Sequence, residues 1–107
     1  MNWILAHFAG DFLLQNDWMA ENKKNSSFAC LVHVFFYIIP FMFLGLSAVQ
    51  LSLIAVQHFI QDRTRFVVWY CNLLGKFRKK ENSAIGYMIV DNIFHLLWIN
   101  FVILYVD

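Results

Sequence analysis

An all-α membrane protein, built as a four-helix up-down transmembrane bundle with a short first helix, is the fold this sequence predicts, and three observations predict it. The 107 residues are 61% hydrophobic and only 14% charged, too apolar for an ordinary soluble domain and enough for a single domain over 1–107. The apolar residues gather into four segments joined by short polar or glycine-containing linkers. Every histidine lies inside one of those segments, where a ring facing lipid would be costly.

Segment one, Met1 to about Gln15, is apolar except for Asn2, His7, Asp11 and Gln15. At 1.5 Å per residue it reaches only about 22 Å, short for a full crossing. His7, Asp11 and Gln15 follow one another at helical spacing and form a polar stripe that cannot look at lipid. The stretch has neither a basic n-region nor a small-residue cleavage site, so it is expected to remain as a helix and not to be cut off as a signal peptide. The linker Asn16 to Ser26 sets Trp18 among charges, which suits an interfacial turn or short surface helix.

Segment two, Ser27 to about Gly45, is long enough to cross and is apolar apart from His33, and Pro40 predicts a kink. After a turn at Gly45 to Ser47, segment three runs from about Ala48 to Leu74. Gln61 to Arg65 interrupt it with polar residues, so it is either tilted with that face inward or leaves the membrane near Arg65 and continues along the surface. The basic loop Gly75 to Ser83 follows, and segment four runs from about Ala84 to Val106. Cys30 and Cys71 show no metal or disulfide spacing and are expected to be buried apolar residues.

Lys23, Lys24, Lys76, Arg78, Lys79 and Lys80 all fall in the first and third loops, while the middle turn is uncharged. The positive-inside rule then places both basic loops in the cytoplasm and both termini outside, in a multi-pass protein of the cytoplasmic (inner) membrane. Lipid is the expected partner, with a protein partner at the cytoplasmic loops as a second possibility. A net charge of +1 leaves no basic face for nucleic acid.

The chemistry lies in the histidines. His58 and Asp62 are four residues apart, as are His7 and Asp11, and Asp91 and His95 repeat the spacing in reverse. Counted from the cytoplasmic ends, these pairs and His33 come to one depth in the bilayer, with His33 at the edge of the cluster or as a further ligand. Three unpaired aspartates there would cost on the order of 10 kcal/mol. Imidazole plus carboxylate on inward-facing helices is a ligand set for a divalent transition metal, zinc or manganese first, in one- or two-ion sites. His7, Asp11, His33, His58, Asp62, Asp91 and His95 are the candidate ligands, and a seven-ligand set exceeds what one tetrahedral ion uses. The plainer alternatives are His-to-Asp hydrogen bonds that glue helices together, or a proton relay.

In order and spacing, LAHFAGDFLLQNDWMAENK, LVHVFFY, HFIQD and DNIFHLL resemble a family of small bacterial and phage integral-membrane proteins catalogued as a domain of unknown function. The opening motif carries His7, Asp11, Gln15, Asp17, Trp18, Glu21 and Lys23. More distantly, the His/Asp pattern is similar to membrane-bound metal-dependent hydrolases, which implies hydrolysis at a metal-activated water.

Two functions of different class follow. The first is a metal-dependent hydrolase of phosphate-containing or lipid-linked substrates, with Asp62 or Asp11 as base and Arg63, Arg65 and Gln15 holding the substrate. The second is a non-enzymatic membrane interaction module, phage-encoded and acting at a host membrane. An open coordination position facing a cavity would favour the enzyme, and closed ligands the module.

Overall fold

The computed structural model describes residues 2–77 and 79–107, without the side chains of residues 80–82. Met1, Arg78 and the Lys80 side chain, a segment boundary and two expected loop charges, lie outside the described residues. The described chain is all-helical, with no strand. In place of four continuous helices it forms α1 (Trp3–Phe8), α2 (Asp17–Asn22), α3 (Ser27–Ile38), α4 (Ala48–Arg63), α5 (Phe66–Leu73) and α6 (Lys80–Tyr105). A π-helical turn, Ala9–Leu13, extends α1, and a 3-10 turn, Pro40–Leu44, extends α3.

Each boundary has a local cause. The side chains of Asn2, Asn16, Ser26 and Ser47 each accept from a backbone N–H in the first turn of α1, α2, α3 and α4, and Ser47 with Gln50 completes a capping box. Pro40 ends the regular hydrogen bonding of α3, and Gly45, at φ 73°, closes the turn in the left-handed region that glycine enters without strain. The third segment divides at Thr64 and Arg65. There the Thr64 hydroxyl donates back to the Ile60 carbonyl at 2.7 Å, and the Lys24 ammonium takes the Asp62 and Thr64 carbonyls at 3.2 and 3.3 Å. A helix end freed of its ladder is thus satisfied by a side chain from the linker.

Helix α3 packs on α4, α4 on α6, and α5 on α6, while α1 lies against the 3-10 turn and α6. The Gln50 amide donates to the Val106 carbonyl at 2.7 Å, which brings the middle turn beside the C-terminus. The apolar core, Ala6, Tyr37, Phe41, Ile54, Ile99 and Val102, fills that end. Lys23, Lys24, Asp62 and Arg63 meet at the other.

Gly10 sets how closely the first segment approaches α3. A Cβ there would stand 2.7 Å from the Tyr37 carbonyl oxygen and 3.0 Å from its Cα, backbone atoms that cannot rotate away. Gly10→Ala is therefore expected to cost about 1–3 kcal/mol by overpacking. Its thermal unfolding in detergent, read beside an Ala9→Gly control, checks this; an unshifted midpoint would show that the approach is not tight.

Two stretches, Ser27–Leu44 and Ser83–Tyr105, are long and apolar enough to cross a membrane, and Trp3–Leu13 is a shorter apolar helix. Large apolar side chains face outward on them, including Leu13, Phe28, Phe35, Phe43, Leu97 and Leu104, whereas all four histidines are fully buried.

Candidate metal centre

The π turn places Asp11, α3 places His33, and α4 places His58 and Asp62 one turn apart. All four are buried. The His33 and His58 Nε2 atoms lie 2.9 Å from each other. His33 Nε2 is 3.2 Å from Asp11 Oδ1 and 3.1 Å from Asp62 Oδ2, and His58 Nε2 is 3.3 and 3.0 Å from the same two oxygens. Four donor atoms on three segments therefore face one point. A tetrahedron with edges near these separations has its centre about 1.9 Å from each corner, close to the roughly 2.0–2.1 Å of zinc bonds to imidazole and carboxylate. Asp11 Oδ1 is buried with no hydrogen-bond partner among the described residues, despite two imidazole nitrogens nearby. Those two nitrogens are hydrogen-bonded to each other, and with the two carboxylate oxygens they form a buried group that could hold a metal ion.

Around this quartet the hydrogen bonds assign tautomers. The Asn92 amide donates to the Met88 carbonyl at 2.9 Å, so its Oδ1 accepts from His7 Nε2–H at 2.8 Å. The Tyr37 hydroxyl, 2.7 Å from His7 Nδ1, then donates to that nitrogen. Both His7 nitrogens are occupied, and its Nε2 stands 3.8 Å from Asp11 Oδ2. The structure thus sets His7 beside the quartet, and of the two places expected for His33, at the edge or as a further ligand, it puts the ring among the four candidate ligands.

The Gln61 amide donates to both the backbone carbonyl and Oδ1 of Asp91, at 2.9 and 2.8 Å. Its own oxygen accepts from Gln57 at 2.6 Å, which leaves Gln57 Oε1 to accept from His95 Nδ1–H at 3.2 Å. His95 Nε2 points at Asp62 Oδ1, 3.1 Å away, and lies 3.5 Å from Asp91 Oδ2. Tyr37, His58 and His95 stack in a column, with centroids 3.6 and 4.0 Å apart and planes within 17° and 24°. The outer nitrogens of His33 and His58 are buried without a hydrogen-bond partner among the described residues, and the His58 ring is held in the stack between Tyr37 and His95.

Lys23 reaches Asp62 Oδ2 at 2.9 Å. Burial alone would lower the pKa of its ammonium, but Asp62, Asp11 and Asp91 together raise it above the ordinary lysine value. Its contribution to stability is therefore complete below about pH 10 and is lost only as pH rises through the raised pKa. A cavity of about 230 Å³ opens here, with Lys23 and Lys24 at its sides and Asp62 and Asp91 in its wall.

The substrate-binding residues expected from sequence lie elsewhere. Arg63 donates to Ser27 Oγ and to the Lys24 carbonyl and so ties α4 to the start of α3, and Arg65 is exposed ahead of α5. Gln15 is half-buried with its Oε1 unpartnered among the described residues. Sequence reasoning missed Tyr37, Gln57, Gln61 and Asn92 and took Lys23 for a topology charge. Tyr37 stands four residues after His33, and Gln57 and Gln61 flank the His58 and Asp62 stripe at the same spacing, so helical periodicity held the signal.

A family model described as "Protein of unknown function (DUF3307)" matches residues 1–107. The chain belongs to the DUF3307 family. No curated protein and no solved structure matches it. In this DUF3307 chain, then, the buried His/Asp group able to hold a metal ion is itself the main guide to function.

Proposed function

We propose that the chain is a multi-pass membrane protein that binds a divalent metal at Asp11, His33, His58 and Asp62, and that it hydrolyses a phosphate-containing or lipid-linked substrate entering from the basic end. The observation that carries this reading is the gathering of two imidazole nitrogens and two carboxylate oxygens in one buried group, each nitrogen 2.9–3.3 Å from the other and from both oxygens. Charge supports it. Asp11, Asp62 and Asp91 bring three negative charges, Lys23 returns one, and Lys24 is engaged by backbone carbonyls. A divalent ion offsets the remaining two.

When bound, such an ion supplies Lewis acidity and lowers the pKa of a water toward about 7. The chain's own residues do the rest. Of the three cations the sequence offers for an anionic group, Arg63, Arg65 and Lys24, only Lys24 lines the cavity, and with Lys23 it would hold such a group. Of the two aspartates expected to serve as base, Asp62 lines the cavity and Asp11 does not.

The membrane part of the proposal rests on the apolar exterior around a polar interior. Within Ser83–Tyr105 only 17% of the spanning window is buried, which suits lipid contact better than a soluble core. Four crossings with both termini outside are the proposed topology. Single cysteines at Asn2 and Lys79 test it, because Cys30 and Cys71 are buried and should stay silent. Labelling from opposite faces of sealed vesicles is expected, and labelling of both from one face would refute the topology.

Elemental analysis of tag-free protein after repletion, with release of phosphate from a lipid-linked phosphate ester as the second readout, tests the metalloenzyme. The non-enzymatic module is favoured by one observation: three imidazoles and Lys23 of the chain itself meet Asp62. Stoichiometric metal without hydrolysis would favour that module, and background metal would remove the enzyme.

A further inference from the structure

Taking the metal site proposed above as its basis, we infer that this chain holds a second divalent ion, between His95, Asp91, Asp62 and Asp11, with Asp62 and Asp11 bridging the two positions. The placing of His95, Asp91 and Asp11 within ligand reach of one another carries the inference. The hydrogen-bond chain from the Asp91 carbonyl through Gln61 and Gln57 ends on His95 Nδ1 and fixes that ring. His95 Nε2 is thereby held 3.1 Å from Asp62 Oδ1 and 3.5 Å from Asp91 Oδ2, where a divalent ion would take the place of a shared proton.

Two further observations favour an ion. Asp62 divides its oxygens between two imidazoles, Oδ2 for His58 and Oδ1 for His95, and those rings stack at 4.0 Å. That spacing matches the roughly 3.5–4 Å between ions in two-metal hydrolytic sites. Asp11 groups with Asp91 and His95 as it does with the first set.

The two positions differ in access. Asp62 and Asp91 both line the cavity beside Lys23 and Lys24, but Asp62 is buried and Asp91 is 22% exposed. The second position is therefore the nearer of the two to an entering substrate. One divalent ion already balances the site, so a second leaves an excess of positive charge that an anion must offset. Inorganic phosphate should accordingly tighten the second ion.

Manganese titration of the full chain in detergent, with and without inorganic phosphate, tests this by bound-metal stoichiometry and electron paramagnetic resonance. Two ions per chain with a spin-coupled spectrum in phosphate are expected. Asp91→Asn and His95→Gln, made separately so that one misfolded variant does not decide, should each leave one uncoupled ion. A single uncoupled ion in the wild type, with or without phosphate, overturns the second site and leaves the first standing; no ion overturns both.

Discussion

Asp62→Asn is expected to bring the metal content of the purified chain to background while the helices still insert. The change keeps the size of the side chain and some of its hydrogen bonding, yet it removes a charge that faces His33, His58, His95 and Lys23 at 2.9–3.1 Å. Losing an outer-shell partner typically costs 10- to 100-fold in metal affinity, and a ligand common to the whole cluster should cost more. If Asp62 only bonds neighbouring histidines, wild type and variant will both sit at background. The variant should then lose about 0.6 kcal/mol for each interhelical hydrogen bond it gives up, the average in a membrane, and in addition the cost of leaving Lys23 without its carboxylate. Metal stoichiometry of the two proteins, purified in parallel without histidine tags, separates these cases.

Lys23→Met should have the opposite sign on metal and a large effect on stability. The ammonium is a fixed positive charge on the carboxylate proposed as a ligand, so it competes with an ion for Asp62. Its removal leaves Asp62, 1% exposed, short of a counter-charge, and breaking a buried pair from one side costs about 3–5 kcal/mol. A bound ion takes over that compensation. Unfolding measured with chelator should show the full loss, and unfolding in saturating metal a much smaller one, together with tighter binding than wild type. An equal loss in both conditions would mean that Lys23 and the ion do not share Asp62.

Much of this molecule can be read from periodicity. The all-helical class, the turn at Gly45 and the pairing of His58 with Asp62 all depend on residues within four positions of one another, the range over which a helix repeats. Segment three divides where Gln61 to Arg65 interrupt its apolar run, a break the sequence shows. How the freed helix end is satisfied is not local: Lys24, some forty residues earlier, donates to the Asp62 and Thr64 carbonyls.

The sequence by itself determined which residues must avoid lipid, since a histidine or aspartate in an apolar helix has nowhere else to go. Only the tertiary structure decided how they divide. His7, equal to His58 on paper, spends both nitrogens on Tyr37 and Asn92, while His33, alone in its segment, sits at the centre of the cluster. Arg63 and Arg65 yielded the cavity to Lys23 and Lys24 for the same reason. Helical spacing places a side chain on a face, but the groups that meet it come from other helices. The close approach at Gly10 and the ring column on Tyr37 choose those groups, and neither is visible before the helices are packed.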